Sequence, residues 1–170
     1  MTSLRSPEDL CVRLGLRPSG HQRELMHRFY EDEDPLEVEE IQAQQTMNAV
    51  ALAALWRLLR VPGSKCIVIS ANRELEQRFL LFLREVTTMI DPALASVCLW
   101  RGSKCLSIGE ASGHELRVVS NKPEWLQGLP DEAITFVILG ARSSEPDFCE
   151  TMRVIDTYRN LEGARHIVMW

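Results

Sequence analysis

Between Glu31 and Ser64 the chain has no lysine, and Gly63 is its only glycine there. This span joins a strand-like stretch to a long apolar helix, the place where a nucleotide-binding α/β protein carries Gly-x-x-x-x-Gly-Lys-Ser/Thr. That loop uses glycines to close backbone N–H groups on phosphates, lysine to neutralise them and a hydroxyl to hold magnesium. Gly63-Ser64-Lys65 and Gly102-Ser103-Lys104 are poor substitutes, because each leads into a strand and no helix N-terminus faces the phosphates. Seven acids, Glu31, Asp32, Glu33, Asp34, Glu37, Glu39 and Glu40, stand just ahead of the place of the loop and would oppose a triphosphate.

Other absences narrow the chemistry further. The five cysteines form no Cys-x-x-Cys pair, and their odd number without a secretory leader argues against a disulfide framework, so they are expected to be reduced and mostly buried. The longest apolar run, Ala49 to Trp56, is too short to cross a bilayer, and the start MTSLRSPEDL has no apolar core for export. A cytoplasmic protein with no membrane association is the expectation. A net charge of −5 and a pI near 5.4 remove any general attraction to nucleic acid, which leaves only a local basic strip open. Arg73, Arg78, Arg84 and Arg101 are the candidates, but their spacing makes no single helical stripe.

Catalytic patterns are missing as well. Gly109-Glu110-Ala111-Ser112-Gly113 departs by one residue from the spacing of a nucleophile elbow. His21, His27, His114 and His166 are scattered, and the first two, six apart, do not align as ligands on a helix. Asp131 and Glu132 precede the apolar run ITFVILG, at the wrong end of that strand to organise magnesium and polarise water. They read as turn residues, and no catalytic residue, metal or cofactor is expected.

What is present is ordinary globular composition, 45% hydrophobic and 25% charged in 170 residues, which suits one domain. Ser6, Pro7, Glu8 and Asp9 open a first helix, and GHQRELMHRFY forms a second, with Leu25, Met26, Phe29 and Tyr30 at helical spacing. Residues 1–32 therefore read as a helical extension and residues 33–170 as an α/β core. The core starts with a strand around Leu36 to Ile41 and a helix from Thr46 to Leu59, ended by Pro62-Gly63. KCIVIS, ASVCLWRG, HELRVVS, ITFVILG and RHIVMW follow as strands, with helices at ANRELEQRFLLFLREVTTMI and PDFCETMRVIDTYRN. This alternation predicts a mostly parallel sheet flanked by helices, with KCIVIS and ITFVILG central and Cys66 and Ile138 buried. The repeated GSKC at Gly63 and Gly102 has unlike flanks and reads as a turn that leads into a strand.

The order of these pieces resembles the ATPase domain of the large terminase subunit, the DNA-packaging motor of tailed phages. GHQRELMHRF resembles the element before that family's phosphate loop and places Gln22 at the adenine-contacting glutamine. VALAALWRLL is similar to the following helix, and RVPGSKCIVISANRELEQRFL to the next strand and helix. VVSNKPEWLQGLP resembles an Asn-Pro-Glu-x-Leu-x-Gly stretch ahead of the acid-bearing strand, here ITFVILGARSSEPDFCETM. The resemblance runs from about Pro18 to Trp170 and implies a P-loop-NTPase-like domain of the ASCE type. It sets Thr46 and Met47, within two residues, at the Lys-Ser/Thr positions, and Gly140 and Ala141 at the two acids. Both elements are then degenerate, and Gln22 is a vestige. A form without the family's nuclease domain is the expectation for these 170 residues.

An inactive terminase-like phage or prophage protein that works by binding other macromolecules is the function this implies, as an accessory or regulator of DNA packaging. Its partner would be a terminase or capsid-portal component, in the host cytoplasm. A second reading makes it a phage-encoded inhibitor of a host defence complex, of the anti-CRISPR type, with the acids from Glu31 to Glu40 facing a basic partner. A third is an enzyme with unorthodox nucleotide binding.

Overall fold

A computed structural model of the chain describes residues 4–30, 36–38, 43–61, 63–70, 72–89, 92–109, 114–120, 123–126, 134–139, 146–158 and 165–169. Two helices come first, α1 (Pro7–Arg13) and α2 (Gly20–Tyr30). Ser6 caps α1 in a capping box, its hydroxyl accepting from the Asp9 amide while the Asp9 carboxylate accepts from the Ser6 amide. The core then runs β1 (Leu36–Val38), α3 (Ala43–Arg60), β2 (Lys65–Ser70), α4 (Arg73–Met89), α5 (Pro92–Ala95), β3 (Cys98–Arg101), β4 (Cys105–Ile108), β5 (His114–Ser120), a 3₁₀ turn (Pro123–Leu126), β6 (Ile134–Leu139), α6 (Pro146–Tyr158) and β7 (Arg165–Met169).

These strands form one sheet in the order β1-β7-β6-β2-β5-β4-β3. The five from β1 to β5 in that order are mutually parallel, and β4 and β3 are antiparallel additions at one edge. β2 and β6 are interior, with Cys66 and Ile138 buried as their branched apolar runs require. Alternate residues feed two apolar layers. Val68, Leu116, Val118 and Val137 pack with α3 and α4, whereas Ile67, Ile69, Phe136 and Ile138 pack with Ile155 of α6 and Leu126 of the 3₁₀ turn.

Helix α3 is buried nearly all round, from Ala49 through Trp56 and again at Leu58. It lies against α1, α2 and α4 on one side and β2 and β5 on the other. A helix enclosed in this way needs apolar residues on every face, and alanines at Ala49, Ala51, Ala53 and Ala54 let the neighbours approach closely. Trp56 ties the N-terminus down by donating its indole N–H to the Leu4 carbonyl at 3.2 Å.

Three sequence expectations change. Strand β4 is an addition: its four residues CLSI carry too short an apolar pattern to stand out, and they pair with β3 because a turn at Gly102, φ 71°, reverses the chain. Gly63, φ 73°, makes the corresponding turn before β2, so both GSKC copies are turns leading into strands. Helix α3 starts three residues ahead of the expected Thr46, because Ala43, Gln44 and Gln45 are good helix formers with no glycine or proline to stop them. Only Cys11 and Cys66 are buried, while Cys98 and Cys105 are half-buried and Cys149 lies exposed on α6.

Candidate functional site

Thr46 and Met47 lie in the opening turns of α3, and they are 3% and 1% exposed. Both belong to the packed interior, Met47 within the layer shared with α1 and α2. Gln44 reaches along the helix to Asn48, Nε2 to Oδ1 at 2.9 Å, so the residues just ahead are drawn into regular helix as well. A side chain at either position points into the protein instead of toward a bound phosphate.

Gln22 makes two sets of local bonds. Its Oε1 accepts from the Ser19 amide at 2.8 Å while Ser19 Oγ accepts from the Gln22 amide at 3.2 Å, a second capping box at the start of α2. Its Nε2 donates to the Gln45 carbonyl at 3.0 Å, which fastens α2 to the first turn of α3. Beside it lies a pocket of about 140 Å³ lined by Met26, Leu52 and Phe82 with Arg17 and Asn48 at its polar side. Ligand sites for drug-sized molecules run from roughly 300 Å³ upward, so this space is too small for a whole nucleotide.

Glu37 lies in β1, paired with Val168 of β7. Glu31, Asp32, Glu33, Asp34, Glu39, Glu40, Gly140 and Ala141 lie outside the described residues, as do Asp131 and Glu132. Among the described residues no group of three or more His, Cys, Asp or Glu could hold a metal ion. Of the histidines, His114 caps a helix. Its ring lies between the Leu58 carbonyl in the last turn of α3, at 3.3 Å, and the Gly63 amide, which donates to Nε2. That arrangement fixes the Nδ1–H tautomer, with Nε2 as acceptor.

The four arginines separate. Arg84 lies over the Trp100 ring at 4.2 Å and donates to the carbonyls of Gly102 and Ser103 at 3.1 and 3.3 Å, a structural clamp between α4 and the β3–β4 turn. Arg78 pairs with Glu74 along α4. Arg73 and Arg101 are exposed, near the carboxyl ends of the parallel strands and beside the β3–β4 turn. Sequence reasoning misses one pair there, Lys104 Nζ on Glu76 Oε1 at 2.7 Å, with Glu76 largely buried. The second GSKC is the available signal, since it places Lys104 on a tight turn.

Comparison with solved structures places this architecture. The chain superposes on the HK97 bacteriophage large terminase with a TM-score of 0.67 and 13% identity, over 96% of its own length and 37% of that protein. The chain has the fold of a phage large terminase ATPase domain. On the ATPase domain of the Thermus phage P74-26 large terminase the TM-score is 0.58 at 16% identity, covering 98% of this chain and 70% of that one. A point variant of the same domain gives 0.63 at 15%, covering 96% and 70%. No family model and no curated protein matches the sequence. The terminase-like fold is thus shared at a level of identity where few individual residues coincide. No helix among the described residues is long and apolar enough to cross a membrane.

Proposed function

We propose that the chain is a catalytically inactive terminase-like domain that acts by binding other macromolecules, as an accessory or regulator of DNA packaging. The observation that carries this reading is the start of α3: regular helix from Ala43, with Thr46 and Met47 buried at the positions the resemblance assigns to the phosphate-binding lysine and the magnesium-holding hydroxyl. A phosphate loop instead requires exposed backbone amides in left-handed or turn geometry and a lysine at the helix start. The absence of lysine and of all but one glycine between Glu31 and Ser64 supports the same reading, as does Gly140-Ala141 at the two acid positions.

The packaging role draws on the terminase-like fold, and the acids Glu31, Asp32, Glu33, Asp34, Glu37, Glu39 and Glu40 supply negative charge that suits a basic protein partner. The test is affinity capture of the tagged full chain from phage-infected cells, with mass spectrometry of what is retained. Terminase or capsid-portal proteins retained by the parent and lost when these acids are neutralised would support the proposal. Retention of a host defence protein alone would replace the packaging role, and magnesium-dependent ATP turnover by the purified chain would remove inactivity.

A further inference from the structure

Two concavities of about 560 and 480 Å³, one on the far face of β5 and one beside α4, meet at the carboxyl edge of the sheet, where both are lined by Ser103, Lys104 and Ser120. They run into each other there as one groove. It starts beside Arg73 on the first turn of α4, crosses the carboxyl ends of β2 and β5 at Ser70 and Ser120, and continues past the β3–β4 turn to Arg117 and Arg101. In parallel α/β sheets the carboxyl ends are where ligands are received.

The lining carries mixed charge with a cationic excess. Among the described residues, Arg73, Arg101, Lys104 and Arg117 face two carboxylates, Glu76 and Glu115, a balance of +2 in a chain whose net charge is −5. Glu76 is held by Lys104 at 2.7 Å and Glu115 by Arg117 at 3.0 Å. The wall is rigid as well. Arg84 stacks on Trp100 and holds the carbonyls of Gly102 and Ser103, and the Val118 amide donates to the Lys104 carbonyl at 2.9 Å. A fixed wall lowers the ordering cost of binding.

We propose that this groove docks an acidic segment of a protein partner. Arginine forks suit carboxylates. The two glutamates and the serine hydroxyls can accept the backbone N–H groups that a peptide brings and a phosphate backbone lacks. A nucleic acid fits less well: its phosphate backbone brings no N–H donors to these acceptors, and the nearby Trp100 is covered by Arg84 on the α3/α4 face of the sheet and offers no stacking platform. The proposal rests on the reading of the chain as a binding domain and names the chemistry of one partner.

The test uses the full chain and a fluorescein-labelled peptide of alternating glutamate and alanine, read by fluorescence anisotropy. Saturable binding is expected that weakens on the order of tenfold in the double variant Arg73→Glu, Arg101→Glu. It should be unchanged in Arg23→Glu, an exposed site on α2 outside the groove. Thermal melts confirm that each variant is folded, and Arg73→Gln with Arg101→Gln replaces the reversal if that variant is unstable. Equal weakening by Arg23→Glu would reduce the effect to general charge attraction and overturn the proposal. Tighter binding of a thymidine oligonucleotide of matching charge, lost in the double variant, would assign the groove to nucleic acid and overturn it too. So would self-association lost in that variant, which would place a second copy in the groove. ATP turnover would undo the inactive reading yet leave the peptide result standing, so the two failures are distinguishable.

Discussion

Among the helices that follow parallel strands, α3 after β1 and α4 after β2 have first turns of opposite character. At α4, Asn72 caps the helix with its Oδ1 accepting from the Glu74 and Leu75 amides at 2.9 and 3.3 Å, Ser70 brackets Asn72, and Arg73 faces solvent above an open groove. At α3 Gln44 and Gln45 stay exposed, but Thr46 and Met47 are packed beneath the neighbouring helices, Met47 as closed to water as the centre of the core. The difference shows what burial does to a potential ligand site. A helix start receives an anion only while its amides and the side chains beside them stay accessible, and at α3 packing has taken those of Thr46 and Met47.

The largest effect should come from an attempt to rebuild the nucleotide site. In Gln45→Gly, Thr46→Lys, Met47→Thr with Gly140→Asp and Ala141→Glu, a lysine replaces a buried threonine and a methionine's packing is lost. An unfolding free energy lower by about 4 kcal/mol or more is expected in urea titration, with no gain of nucleotide binding. Full stability with micromolar ATP binding would show an intact pocket. Met47→Ala alone should cost about 2–5 kcal/mol, whereas Arg73→Ala at the α4 start should stay within roughly 0.5 kcal/mol. Equal costs at the two positions would erase the contrast between the helix starts.

A smaller effect is expected at Gln22. Gln22→Ala removes the capping-box partner of Ser19 and the bond to the Gln45 carbonyl, and about 1 kcal/mol of stability should go with them. Gln22→Glu keeps the acceptor toward Ser19 but loses the donor toward Gln45, so it should recover part of the loss. No change in either variant would argue that α2 and the start of α3 are not coupled through this side chain.

Thiol chemistry maps the same division between packed and open regions. Burial pushes the Cys66 thiol up to about 12 and the Cys11 and Cys98 thiols up to about 11. A thiol whose folded value lies above its unfolded one holds its proton longer in the native state. Its contribution is intact below the unfolded value and is lost as pH rises through about 11 to 12. Urea midpoints should therefore fall as pH rises above about 9, less steeply in Cys66→Val. Near pH 8, Cys149 on the outer face of α6 should react first with a thiol reagent and Cys11 and Cys66 only on unfolding. Prompt labelling of Cys66 in the native protein would contradict its place on β2, between β5 and β6.

Much of this architecture is legible in the sequence because long apolar runs carry it. Residues of KCIVIS and ITFVILG have to be covered on both faces, and the Ser6-Pro7-Glu8-Asp9 cap and the paired GSKC turns announce themselves by local chemistry. The β3–β4 hairpin is not legible, since Cys105-Leu106-Ser107-Ile108 gains its place only by pairing with its neighbours β3 and β5. The start of α3 is misplaced from sequence because a phosphate-loop expectation assigns a loop to residues whose own propensity is helical. The Glu76–Lys104 pair joins α4 to the β3–β4 turn, residues distant in sequence, and the second GSKC signals the turn but not the partner.

Closure of the α3 start is tested most directly by titrating the unmodified full chain with ATP and magnesium at millimolar concentration while following its thermal unfolding. The expected result is an unchanged melting temperature with and without magnesium. A saturable rise that requires both ATP and magnesium would contradict closure, because nucleotide would then be held by a site that the buried Thr46 and Met47 do not leave room for.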